Sequence, residues 1–93
     1  MNLTQRYKVN EDIVYREEAA GAFLFDPETG NLKYMNACGK ELFLMLRDQN
    51  DVSQAIERLT NRFPDTKRSQ IENDVEMFLG QLEKNGFIAP LHP

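Results

Sequence analysis

The chain has 93 residues, 41% apolar and 28% charged, with a formal net charge of −4 at pH 7. That size fits one domain over residues 1–93, and that composition fits a folded protein with a modest core rather than a disordered chain. No run approaches the roughly 18 apolar residues of a membrane span, and one cysteine excludes an internal disulfide or a cysteine metal cluster.

Charge is spread evenly. Residues 1–36 hold four basic and six acidic side chains, and residues 37–93 hold seven and nine, which leaves neither a basic patch nor an acidic tail. The opening residues, Met1 to Arg6, lack the apolar core of a signal peptide, so cytoplasmic residence is expected.

The first third of the chain reads as strands. Tyr7-Lys8-Val9 is a short extended segment closed by Asn10-Glu11-Asp12. Ile13 to Arg16 is rich in β-branched and aromatic residues, and Ala22 to Phe25 follows a turn at Ala19-Ala20-Gly21. Asp26-Pro27-Glu28-Thr29-Gly30 has the chemistry of a bulged hairpin: Asp opens the turn, Pro presets φ and Gly supplies a positive φ. Asn31 to Met35 is then the third strand of an antiparallel meander, at a sheet edge guarded only by Lys33. Strand alternation sends Leu24 away from Phe23 and Phe25, and Tyr34 away from Met35. Both sheet faces are therefore apolar. One packs on helices, and the other calls for cover by a partner or by the N-terminal segment.

The remainder reads as three helices. Asn36 caps a helix running to Arg47. Asp51 caps the second, and Gln54 completes a capping-box pattern. Val52, Ile56, Leu59 and Phe63 form the second helix's core face, and Pro64 ends it. Asp65 or Ser69 could cap the third helix; Lys67 and Arg68 would oppose its dipole in the first turn, which favours Ser69. Ile71, Val75, Phe78, Leu79 and Leu82 make its core stripe. Gly86, in the left-handed conformation, and Phe87, folding back toward Leu82, predict a Schellman ending. The predicted fold is α+β and winged-helix-like, a three-stranded antiparallel sheet followed by three helices.

Catalytic groups are sparse: His92 stands in the tail, and Cys38 reads as a small buried hydrophobe. Glu17 and Glu18 point to opposite sheet faces and cannot easily share a substrate. The third helix sets Glu72, Asp74, Glu76 and Glu83 against Lys84 alone, so a winged-helix DNA-binding regulator remains only as the alternative reading. Arg58, Arg62, Lys67 and Arg68 are the nearest approach to a basic cluster. The two flanks of the third helix differ. Glu72, Glu76 and Glu83 make a charged solvent face, whereas Gln70, Asp74, Met77 and Gln81 make a softer one. Met77 lies off the core stripe, and Met adapts well to binding surfaces. An edge strand beside such a flank can accept an extended peptide through main-chain hydrogen bonds.

The ordered pieces resemble the PqqD-like family, small peptide chaperones and recognition elements for ribosomally made, modified peptides. They are Leu24-Phe25-Asp26 before Gly30, Met35-Asn36, the run from Leu42 to Leu46, Val52 to Ile56, Leu59 to Phe63, and Asp74-Val75, Phe78-Leu79, Leu82 and Gly86-Phe87-Ile88. The resemblance covers roughly residues 13–89, which mark the domain core. Asp48-Gln49-Asn50-Asp51 stands where the family often has Asp-Gly, and Gly39 weakens the first helix. The resemblance implies a non-catalytic module without a cofactor or metal. It would bind the leader segment of a precursor peptide as an added strand and present it to a modifying enzyme, frequently a radical S-adenosylmethionine enzyme. Neither nucleic acid nor membrane is an expected partner, and a homodimer using the same edge is a third arrangement. Carried onto this chain, the peptide site is Leu32, Lys33, Tyr34 and Met35 with Gln70, Asp74, Met77, Phe78 and Gln81.

Overall fold

The computed structural model describes residues 1–92. It is an α+β fold in which a three-stranded antiparallel sheet and three helices follow the predicted order. Strand β1 spans Arg6–Val9, β2 Val14–Glu18, β3 Gly21–Phe25 and β4 Leu32–Asn36; helices α1 (Ala37–Arg47), α2 (Val52–Arg62) and α3 (Arg68–Lys84) follow, and β5 (Ile88–Leu91) closes the chain.

The meander β2-β3-β4 holds Val14 opposite Phe25 and Phe25 opposite Leu32. Because side chains alternate, Leu24, Ala22 and Met35 share the inner face, where all three are buried. The β3–β4 turn is fastened by Gly30 N–H donating to the Asp26 carbonyl at 2.8 Å, with Gly30 at φ 79°. The outer face carries Val14, Phe23, Phe25, Leu32 and Tyr34, of which only Phe23 is not exposed. The N-terminal segment does not cover it. Strand β1 lies against α1 and pairs antiparallel with β5, Tyr7 opposite Pro90.

That two-stranded ribbon is absent from the sequence reading, which gave the Tyr7-Lys8-Val9 segment no partner and Ile88 to Leu91 no strand. The ribbon brings Tyr7 and Ile88 into the core. The segment before it also serves α2: Val52 N–H donates to the Gln5 carbonyl and Ser53 N–H to the Leu3 carbonyl.

Helix α1 is capped as expected, with Gly39 N–H donating to Asn36 Oδ1 at 2.9 Å. The Asp51–Gln54 capping box forms in both directions at 2.8 Å. Helix α3 departs from expectation. Neither Asp65 nor Ser69 caps it; it starts at Arg68 behind Lys67, with no side-chain cap. Arg68 is tolerated in the first turn because it lies 3.2 Å from Glu57 of α2 and 3.5 Å from Glu72, so two carboxylates offset its opposition to the dipole.

Two helices end alike. Phe87 N–H donates to the Leu82 carbonyl at 2.9 Å and Gly86 N–H to Glu83 at 3.1 Å, the paired bonds of a Schellman motif, with Gly86 at φ 77°. Asn50 N–H to Met45 and Gln49 N–H to Leu46, both 3.0 Å, make the same closure on α1. There Gln49 holds φ 68°, a backbone conformation that glycine adopts more freely.

Candidate functional site

The free edge of β4 faces the flank of α3. Asp26 N–H donates to the Asn31 carbonyl at 2.9 Å, which makes that pair a hydrogen-bonded one. Antiparallel alternation then assigns the main-chain groups of Lys33 and Met35 to β3, and turns those of Leu32 and Tyr34 outward. The Met35 carbonyl oxygen, set close against Gly21 of β3, agrees with that assignment. One edge thus offers two residues' worth of unused donors and acceptors.

Helix α3 runs antiparallel to this strand. Asn31 Nδ2 donates to the Asn85 carbonyl at 3.1 Å, and Lys33 Nζ donates to Gln81 Oε1. The Lys33 ammonium also sits 5.1 Å from the centre of the Phe78 ring. Further along, Asp74, Val75, Met77 and Phe78 line a cleft of about 120 Å³ with Asn36, Cys38, Gly39 and Leu42 of the β4–α1 junction. Its walls are largely apolar, and Asp74, its one acidic lining residue, accepts from Gln70 Nε2 at 2.9 Å.

Phe78 belongs to this cleft more than to the core. The sequence placed it on the core stripe, but it is only partly buried, whereas Ile71, Val75, Leu79 and Leu82 are fully so. The reason lies in α1. A Cβ built on Gly39 would stand 2.3 Å from Phe78 Cζ, so the ring occupies the place of the missing side chain. Cys38, half-buried beside it, has its thiol pKa pushed up by burial first and then by the nearby Asp74 and Glu41 carboxylates. That favours the unreactive thiol.

Of the nine expected residues, Lys33, Phe78 and Gln81 meet directly, and Asp74, Met77 and Phe78 share the cleft. Gln70 joins through Asp74. Met77 is 58% exposed, as its position off the stripe required. Met35 is fully buried, so its side chain is part of the core. Leu32 and Tyr34 (64% and 48% exposed) extend onto the outer sheet face, where Tyr34 packs on Phe23 at 5.1 Å between ring centres. Sequence reasoning missed the contribution of Cys38, Gly39 and Leu42. The one available signal was a glycine inside a helix, which often marks a close approach.

Among the described residues, no group of three His, Cys, Asp or Glu side chains could hold a metal ion. No helix among them is long and apolar enough to cross a membrane.

An edge strand left open beside an adaptable helix flank defines a peptide-binding class of fold. The chain belongs to the PqqD family: the model for coenzyme PQQ synthesis protein D matches residues 21–88. Two solved structures share the fold. TbiB1 in complex with the TbiA(beta) leader peptide superposes with a TM-score of 0.79 at 16% identity, over 92% of this chain and 99% of that one. A lasso peptide synthetase B1 complexed with the leader peptide has a TM-score of 0.79 at 20% identity, over 91% and 99%. Among curated proteins, none matches the sequence.

Proposed function

We propose that this chain is a non-catalytic module that binds the leader segment of a precursor peptide as a strand added to β4 and delivers it to a modifying enzyme. The observation that carries the reading is the pair of outward main-chain positions, Leu32 and Tyr34, set beside the α3 flank. A strand added there gains main-chain hydrogen bonds at the edge and side-chain contacts in the cleft. The two solved proteins of the same fold each hold a leader peptide, which supports the same use of the fold in this family.

In this reading, Leu32 and Tyr34 offer main chain and outer-face contact. Lys33, Gln70, Asp74, Met77, Phe78 and Gln81 form the helix side, and Met35 supports the edge from the core. The module acts as one cytoplasmic domain, and a radical S-adenosylmethionine enzyme is one candidate for the modifying enzyme it serves. The DNA-binding alternative draws no support from the side chains, since Arg62 lies by Glu41 and Arg68 by Glu57 and Glu72.

The test is a titration of isotope-labelled protein with the leader peptide encoded beside its gene. Amides of residues 32–34 and 74–81 are expected to shift together. Shifts confined to other surfaces would refute the site, and no shift with any neighbouring precursor peptide would refute the function.

A further inference from the structure

The α3 flank is ordered by charge. Asp74, Met77, Gln81 and Lys84 follow one another at helical spacing, so a single row reads acidic, apolar, polar, basic. Lys33 of β4 joins the row at Gln81, near its basic end, while Asp74 lines the cleft at the row's acidic end. Among the described residues, neither Lys33, Lys84 nor Asp74 has an oppositely charged side chain within ion-pair distance. The helix ends oppose this order: the α3 carbonyl terminus lies near Lys33, and the α1 amide terminus near Asp74. Each end carries only about half an elementary charge, so the unit charges of the side chains decide the sign.

We infer that the groove selects an extended segment whose α3-facing side chains run basic, apolar, acidic at alternate positions, and that this order fixes the direction of the strand. The inference rests on the peptide-binding reading above. In an antiparallel added strand, the residue opposite Lys33 faces α3 and meets the ammonium, which calls for Asp or Glu. The residue two positions earlier lies opposite Met35 and enters the apolar cleft at Met77, Phe78 and Cys38. The residue four positions earlier reaches Asp74, which calls for Lys or Arg. The lengths agree. Four strand residues span about 13 Å, while Asp74 to Gln81 spans about 10 Å of helix and Asp74 to Lys84 about 15 Å. The strand therefore reads, from its N-terminus, basic-x-apolar-x-acidic. A parallel strand would need the reverse sequence and would lose the slightly better antiparallel pairing.

The probe is a random decapeptide library, displayed and selected on wild-type protein, on the charge-swapped Lys33→Glu/Asp74→Lys variant, and on the neutral Lys33→Gln/Asp74→Asn variant. Wild type is expected to enrich basic-x-apolar-x-acidic peptides. The swapped variant should enrich the reversed charge order, and the neutral variant no order. Each charge pair formed at these half-buried side chains should change Kd at least about two- to fivefold, the range of solvent-screened pairs, an effect that shrinks as salt rises. If the swapped variant does not fold, the neutral variant decides. Peptides that protect the Leu32 and Tyr34 amides yet show no charge order, or the same order on every variant, overturn the inference and leave the proposed function standing. If no peptide is enriched, or if binders leave those amides unprotected, both fall.

Discussion

The Phe78 ring fills the space beside Gly39 that any other residue's side chain would occupy, with its Cζ 2.3 Å from the position of a Cβ. A helix-weakening glycine thereby becomes the reason that the cleft has an aromatic wall. Gly39→Ala should gain up to about 1 kcal/mol of helix propensity and lose a similar amount by crowding the ring. The ring tip is what can yield, so it should swing into the cleft. Denaturant unfolding is expected to change by less than about 1 kcal/mol, while leader-peptide affinity falls roughly tenfold. Unfolding at much lower denaturant with affinity intact would show the ring to be core rather than cleft wall.

Met77 is exposed on the groove side of α3. Met77→Glu should weaken peptide binding while stability stays within about 0.5 kcal/mol, the usual range for a surface change. Isothermal titration and thermal unfolding on the same sample separate the two effects. A large stability loss would place Met77 in the core.

The twin Schellman endings allow an internal comparison. Gln49 and Gly86 hold nearly the same φ, 68° and 77°. A left-handed non-glycine residue costs about 1–2 kcal/mol, against about 0.5–1 kcal/mol for glycine's extra freedom in the unfolded chain. Gln49→Gly should therefore stabilise by about 0.5 kcal/mol, and Gly86→Ala should destabilise by about 1 kcal/mol. Equilibrium denaturation of both variants gives the two signs.

Burial pushes the phenols of Tyr7 and Tyr15 above their usual pKa, and the Glu83 and Glu17 charges add to the rise. Their protonated forms are thus favoured by folding. That contribution is complete below the unfolded value of about 10 and is lost as pH rises through the folded value. Stability should decline above pH ~10, less steeply in Tyr15→Phe. Among the described residues no partner stands within hydrogen-bonding distance of the buried Tyr15 hydroxyl, so removing it should cost little at neutral pH. Unfolding midpoints across alkaline pH check both points.

What was legible in the sequence was local. Asn36 and the Asp51–Gln54 pair cap their helices through contacts three residues apart, and the Asp26–Gly30 turn carries its own chemistry. The β1–β5 ribbon joins segments about eighty residues apart, and Pro90 speaks against a strand when read alone. The start of α3 was misread because the partner that lets Arg68 stand in its first turn, Glu57, belongs to another helix. Strand alternation grouped Leu32 with Tyr34 and Lys33 with Met35. Only the packed helices decide that Met35 is core and that Lys33 meets Gln81. The wall supplied by Cys38, Gly39 and Leu42 depends on how α1 docks, which no periodicity reveals.

Amide hydrogen exchange at β4, with and without the leader peptide, tests the central claim most directly. In the free protein, the Lys33 and Met35 amides should be protected by β3, while those of Leu32 and Tyr34 exchange quickly. Bound peptide should slow Leu32 and Tyr34 strongly and leave Lys33 and Met35 nearly unchanged. Tight binding of the peptide with fast exchange persisting at Leu32 and Tyr34 would contradict strand addition at this edge.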